Sequence, residues 1–112
     1  MAYDPETVER IRKIMKRKRG YSQRNMFGGV CFMINGHMAC GVLEKNLMLR
    51  LNNALAQAAL TEPHTHEMDF TGKPMKSMLY VDAKGIATDP QLKAWVDRAV
   101  AFAKTLPPKV KE

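Results

Sequence analysis

Apolar positions recur at helical spacing in the first part of the chain, directly after Asp4-Pro5-Glu6. An aspartate there can accept hydrogen bonds from the free amides of a first helical turn, and a proline gives up no hydrogen bond. The pattern predicts an N-terminal helix that Gly20 closes. Its apolar stripe consists of Val8, Ile11, Ile14 and Met15.

Two more helices are predicted by similar spacing and start signals. Asn52 or Asn53 can cap a short alanine-rich helix that stops before Pro63. Asp89-Pro90 opens a C-terminal helix, and Pro107-Pro108 ends it. The buried stripe of this last helix consists of Leu92, Trp95, Val96, Ala99, Ala103 and Leu106.

Between the helices, short apolar runs alternate with turn residues, which is typical of strands. The clearest are the two runs on either side of Asn35-Gly36, because this dipeptide favours the two-residue turn of a β-hairpin. They predict strands over about residues 29–35 and 37–43, after a bend or bulge at Gly28-Gly29. Weaker strand signals lie at residues 21–26, 47–51, 68–70 and 78–81.

The hairpin signal also predicts a register. Counting outward from the turn, a regular ladder places Cys31 opposite Cys40 and puts Met33 and Met38 on the same face as both cysteines. Opposed cysteines could form a reversible disulfide or, with the two methionines, hold a soft ion such as Cu(I). The alternative is a pair of reduced, packed thiols, because no basic neighbour is evident that would lower a thiol pKa.

The order of these elements predicts a fold class. Short links between the first strands require antiparallel neighbours, because a parallel pair needs a crossover of a dozen or more residues. We therefore expect an α+β fold, in which the N- and C-terminal helices and one short internal helix pack on an antiparallel sheet of about five strands. The length of 112 residues suits a single domain over residues 1–112.

Composition narrows the setting. No apolar run approaches the roughly 18 residues that cross a bilayer, and the N-terminus lacks the basic-then-apolar order of a signal peptide. Two cysteines without a disulfide-dense spacing suit a reducing compartment. We expect a cytoplasmic protein that has no membrane partner.

The formal net charge of +7 is concentrated in one segment. Residues 10–19, which we call the basic segment, hold seven basic residues and no acidic one, whereas basic and acidic residues balance elsewhere. Such a cluster can bind phosphates of any sequence through counterion release, although a solvated cationic face has the same composition. The candidate nucleic-acid-binding residues are Arg10, Arg12, Lys13, Lys16, Arg17, Lys18 and Arg19, the last four of them expected at the end of the first helix.

Other candidate chemistry has less support. His64 and His66, followed by Glu67 and Asp69, offer two imidazoles but lack the ligand set that zinc requires, so we expect a solvated loop. Gly28-Gly29 lacks the longer pattern of a phosphate-binding loop, and no nucleophile–base motif is present. We expect no catalytic, cofactor-binding or metal-binding residues, and hence no enzyme.

Three segments of the chain follow recognisable motifs. They are Arg24-x-Met26-Phe27-Gly28-Gly29, Asn35-Gly36-x-Met38-Ala39-Cys40-Gly41 and Asp69-Phe70-Thr71-Gly72-x-Pro74-Met75. Together with the closing residues 95–108, they resemble the N-terminal domain of the TfoX/Sxy competence-regulator family over nearly the whole chain. The resemblance implies an antiparallel sheet flanked by helices, often a dimer, with no known enzymatic activity.

The resemblance also implies a function. Full-length members promote the expression of DNA-uptake genes and carry a second, helical domain, which would begin where this chain ends at Glu112. No catalytic or DNA-reading residue of the family carries over to this sequence. We expect a homodimeric regulatory domain that acts through an unidentified protein partner in gene regulation. The alternatives are direct nucleic-acid binding by the basic segment and a redox or soft-metal role of Cys31 and Cys40.

Overall fold

Within the part of the chain that the structure describes, six strands form one antiparallel sheet, and three helices pack against it. The computed structural model describes residues 4–26, 29–69 and 74–107. The α+β class is confirmed, with six strands instead of about five. The elements are α1 (Pro5–Met15), β1 (Tyr21–Met26), β2 (Gly29–Ile34), β3 (His37–Leu43), β4 (Asn46–Arg50), α2 (Asn53–Ala59), β5 (Thr65–Asp69), β6 (Pro74–Val81), a 3-10 turn (Ala83–Ile86) and α3 (Asp89–Lys104).

The strands lie in the order β1-β2-β3-β4-β6-β5, and each neighbouring pair is antiparallel. β1 and β5 are therefore the two edges. Apolar side chains from one face of the sheet pack with the stripes of the helices to form the helix-facing core. Among its largest buried members are Ile11 of α1, Phe32 of β2, Leu49 of β4 and Leu92 of α3.

The helix start signals act as expected. The Asp4 carboxylate accepts a hydrogen bond of 3.1 Å from the amide of Thr7, and Asn52 accepts one of 2.7 Å from the amide of Leu55. α3 begins at Asp89, as predicted, and its cap is Thr88, which forms a reciprocal capping box with Gln91. Each helix that covers the sheet thus begins at a side chain that satisfies its free amides.

The first helix is shorter than expected, because it ends at Met15 and not at Gly20. The apolar stripe ends at Met15, so a further helical turn would add no residue to the core. It would also bring the like charges of Lys13 and Arg17 next to each other on one face of the helix, which is unfavourable. Gly20 has a φ of +82° and accepts a hydrogen bond of 3.0 Å from the amide of Asn35, just before β1 begins. The second half of the basic segment is therefore a non-helical connection.

The opposite face of the sheet is also buried. Alternating residues of β2, β3, β4, β5 and β6 form a second, smaller core there. Its buried members, which define the surface that we call the sulfur face, are Cys31, Met33, Met38, Met48, Met68 and Met78. Both faces of the hairpin are therefore covered, as expected.

Within the described ranges, no helix is long and apolar enough to cross a membrane. The predicted bend at Gly28-Gly29 lies partly outside these ranges, and Gly29 is the first residue of β2.

Candidate functional site

The β2–β3 hairpin does not place Cys31 opposite Cys40. The ladder is regular at the two positions next to the turn, as predicted, but it shifts by one residue farther out. As a result, Cys31 lies opposite Gly41, and Cys40 lies opposite Phe32. The predicted register is wrong at these positions.

A β-bulge at Ala39 is the physical reason. Ala39 is the extra residue of β3, so that it and Cys40 together oppose Phe32. The bulge interrupts the alternation of faces: Ala39 and Cys40 both join the helix-facing core, while Cys31 remains on the sulfur face. Since both faces are apolar, the sequence pattern gives no signal of this insertion.

The two thiols are free and buried. Burial raises the pKa of Cys31, and for Cys40 burial together with the neighbouring Cys31 raises the pKa further. Both side chains therefore carry their protons at neutral pH, which makes them poor nucleophiles. The observed register does not support a pairing of Cys31 with Cys40, and their redox role stays a prediction.

Three cations of the basic segment are bound within the fold. Arg10 donates to the carbonyl oxygen of Ile86 at 2.7 Å. Lys18 donates to the Asp97 carboxylate at 2.8 Å, which ties the connection after α1 to α3. Arg12 donates to the side chains of Glu9 and Gln23.

Asp97 shows how firmly Lys18 is held. Partial burial alone would raise the pKa of Asp97, but hydrogen bonds from Lys18 and from Lys93, the latter at 2.6 Å, outweigh burial and lower it. The Lys18 side chain is only 24% exposed. Lys18 is therefore a structural cation rather than a free one.

The other four cations face solvent. Lys13, Lys16, Arg17 and Arg19 are exposed and form no hydrogen bond or ion pair with any residue of the described ranges. Lys13 also borders an open groove of about 450 Å³ between α1 and the start of α3. The groove is lined by Arg10, Lys13, Ile14, Asp89, Pro90 and Lys93. The structure thus separates four free cations from three that the fold uses.

The expectation of a solvated loop is wrong for His66, which lies in a strand, whereas His64 lies in an exposed turn. His66 lies in β5, where its ring stacks on Tyr80 at 4.8 Å between centroids, and His64 directly precedes the strand. His66 Nε2 lies 2.8 Å from an oxygen of Asp82, and His64 Nδ1 lies 3.6 Å from the other.

Asp82 has a structural role at this edge of the sheet. Its carboxylate accepts hydrogen bonds from the amides of Lys84 and Gly85 and so caps the 3-10 turn. The hydrogen bond from His66 is the main cause that lowers the pKa of Asp82. Among the residues that the structure describes, no three His, Cys, Asp or Glu side chains are placed to hold a metal ion.

The sequence did not indicate that Met48, Met68 and Met78 would join Cys31 on one surface. One signal could have shown it for Met48. Residues alternate between the two faces of β4, so Asn46, Met48 and Arg50 face away from the leucines between them.

Over the described residues, these features define an α+β domain with one sheet, in which the buried sulfur-bearing side chains are packed and the basic segment keeps four free cations in α1 and in the connection after it. The family model of the TfoX N-terminal domain matches residues 13–103. The chain therefore belongs to the TfoX N-terminal domain family, as its motifs predicted. No curated protein and no solved structure gives a significant match to it.

Proposed function

We propose that this chain is a non-enzymatic regulatory domain, which acts as a cytoplasmic homodimer through protein partners in gene regulation of the competence type. Its membership of the TfoX N-terminal domain family over residues 13–103 carries the proposal. The free edge and the exposed cations described above supply two surfaces through which such a domain can act.

The free edge of β1 supports the homodimer. Both faces of the sheet are buried within one chain, so a second copy has to meet an edge or the outer surface of the helices. The other edge strand, β5, has a bulge between Glu67 and Met68, which blunts an edge for pairing. β1, in contrast, pairs with β2 over six residues without interruption, and its residues 22–25 are exposed.

The hydrogen bond from Asn35 N to Gly20 O identifies which groups of β1 are free. Because hydrogen-bonded and open pairs alternate along an antiparallel ladder, the backbone N–H and C=O groups of Tyr21, Gln23 and Asn25 point away from β2. A second β1, running antiparallel and centred on Gln23, would pair with all three. The proposed dimer therefore continues the sheet from one chain into the next.

A proline at position 25 tests this dimer. Asn25→Pro removes an outward N–H but leaves the ladder to β2 intact, whereas Asn25→Ala keeps the N–H. By light scattering at tens of micromolar, we expect a dimeric mass for the wild type and Asn25→Ala, and a monomeric mass for Asn25→Pro. A monomeric wild type would contradict the homodimer, and a dimeric Asn25→Pro would contradict the β1 edge.

The regulatory role has a separate test in the host cell. We expect deletion of the gene to lower the transcripts of DNA-uptake genes, and the wild-type chain to restore them. Asn25→Pro should restore them less well than Asn25→Ala if the dimer is the active form. Unchanged transcripts in the deletion strain would contradict the regulatory role whatever the oligomeric state.

Direct nucleic-acid binding is the second candidate function. The specific observation in its favour is that Lys13, Lys16, Arg17 and Arg19 are exposed and have no partner in the described ranges. Four phosphate contacts would give an affinity that falls steeply with salt, with a slope of about −0.9 per contact on duplex DNA.

Two variants that neutralise different cations test nucleic-acid binding. Replacement of Lys13, Lys16, Arg17 and Arg19 by glutamine should abolish binding to a fluorescent DNA duplex at low salt. The matched control replaces Lys18 alone by glutamine, which removes one charge from the same segment but a cation that is already bound to Asp97. Absence of wild-type binding at low salt, or equal losses in both variants, would contradict the assignment.

A further inference from the structure

The sulfur face differs from an ordinary core in its composition. Each of its buried residues carries sulfur, whereas the much larger helix-facing core has Met15 and Cys40 as its only sulfur residues among those the structure describes. Leucine, isoleucine or valine would fill the same volume and would lose less rotamer freedom on burial than methionine. Volume alone therefore does not account for six sulfur atoms on one surface.

Cys31 and Met48 are brought together by the glycine between them. Cys31 lies opposite Gly41, and Gly41 lies opposite Met48, so the three form one row across β2, β3 and β4. A methyl group placed on Gly41 would lie 2.9 Å from the terminal methyl of Met48 and 3.4 Å from the Cα atom of Cys31. The end of the Met48 side chain thus occupies the space above Gly41, beside Cys31.

The other methionines surround this pair and lead towards solvent. Met33 and Met38 face each other nearer the hairpin turn, and Met78 lies on β6 beside β4. They retain 6%, 9% and 7% of their exposure, respectively, whereas Cys31 and Met48 retain none. The margin of the sulfur face is therefore lined by thioethers that solvent can reach, whereas its centre is closed.

We propose that the sulfur face is a binding site for Cu(I), with the Cys31 thiolate and the Met48 thioether as its central ligands. Thiolate and thioether sulfur are the soft ligands that select this ion. The binding step involves no change of oxidation state: the Cys31 thiol gives up its proton to solvent, and its sulfur forms a bond to the incoming ion. One thiolate balances the single charge of Cu(I), so the buried complex is neutral and avoids the cost of a buried net charge.

The charged groups on this side of the sheet do not disturb the charge balance between Cu(I) and the Cys31 thiolate. Arg24 lies opposite Cys31 on β1 and is exposed, Arg50 lies at the end of β4, and His66 lies on β5 beyond Tyr80. Asp82, which holds His66, lies beyond the end of β6. Arg24 is exposed, so water screens its charge from the buried sulfur atoms.

The test is a titration of the reduced, intact chain with Cu(I) under anaerobic conditions, against a chromogenic Cu(I) chelator as competitor. We expect one ion per chain and the release of one proton per ion. Cys31→Ala should lose this binding, and Met48→Leu should weaken it by at least about tenfold, the lower end of the loss that follows removal of even an outer-shell partner.

Matched controls lie in the helix-facing core. Cys40→Ala and Met15→Leu repeat the same two changes there, and both should bind Cu(I) as the wild type does. Failure of the wild-type chain to hold Cu(I) against the chelator would overturn the proposal. An equal loss in Cys40→Ala and Cys31→Ala would also overturn it, because the ion would then not be specific to the sulfur face.

A measurement on the wild type covers the case in which Cys31→Ala fails to fold. With ¹³C-labelled methionine methyl groups, addition of Cu(I) should shift the signal of Met48 and those of the marginal methionines, and leave that of Met15 unchanged. Shifts of Met15 as large as those of Met48 would contradict the proposed site. This outcome is independent of the homodimer and of the regulatory role.

Discussion

The two faces of the sheet are built from alternate residues of the same strands, but they differ in how rigidly their side chains are packed. The helix-facing core consists mainly of branched and aromatic side chains that three capped helices hold in place. The sulfur face consists of a cysteine and flexible thioethers, which adapt to irregular space. Strand alternation alone can therefore give one thin sheet a rigid side and an adaptable side.

Adjacent substitutions on β4 should give the largest contrast between the faces. Leu49 points into the helix-facing core and Met48 into the sulfur face, and both are fully buried. We expect Leu49→Ala to lower the free energy of unfolding by about 4 kcal/mol and Met48→Ala by about 2 kcal/mol, because the neighbouring thioethers can fill part of the second cavity. Urea denaturation measures both values, and equal losses would refute the contrast in rigidity.

A substitution at Gly41 should have a smaller effect on the free energy of unfolding. A methyl group there would lie 2.8 Å from the carbonyl oxygen of Val30 and 2.9 Å from the end of Met48. We expect Gly41→Ala to cost about 1–3 kcal/mol as overpacking. In a Met48→Ala background the same change should cost less, because the methyl group then finds part of its space empty. Strict additivity in a double-mutant cycle would show that Met48 does not occupy this space.

The smallest expected effect concerns acid stability at the rim of the sulfur face. The hydrogen bond from His66 lowers the pKa of Asp82, so the folded chain binds this proton less readily than the unfolded chain does. The stability that Asp82 contributes is present above its unfolded pKa of about 4 and is lost as the pH falls through the lowered folded pKa. Asp82→Asn should therefore lose less stability than the wild type between pH 7 and pH 3.

The control for this comparison is Glu67→Gln, because Glu67 is next to His66 on β5, is exposed and has no ion pair with any residue of the described ranges. Urea midpoints at several pH values should show the wild-type acid dependence in this variant. If Asp82→Asn is as acid-sensitive as the wild type, the contact with His66 does not stabilise this edge.

The structure could be predicted where two sequence signals indicated the same element. Asn35-Gly36 has apolar runs on both sides, and the strands of the hairpin are found where they were expected. Asp4 and Asn52 combine a capping side chain with an apolar stripe behind it, and both cap a helix. The α+β order followed from the lengths of the links and needed no knowledge of side-chain contacts.

The errors arose where the local sequence pattern was compatible with more than one geometry. The extra residue Ala39 is as apolar as its neighbours, so nothing in the alternation indicated that Cys40 would leave the face of Cys31. The end of α1 was misplaced because Gly20 is a plausible helix end in isolation, although the core ends at Met15. The contacts of Asp82 with His64 and His66 depend on the β5–β6 pairing and lie beyond any local signal.

The tip of the β2–β3 hairpin connects distant parts of the chain. The amide of Asn35 binds Gly20 at the end of the basic connection, and Nε2 of His37 lies 2.6 Å from the carbonyl oxygen of Pro107. Asn35 and His37 flank Gly36, so the segment before β1 and the segment after α3 are both held by the tip of this one hairpin. A substitution that changes the turn at Asn35-Gly36 would therefore loosen the attachment of both segments at once.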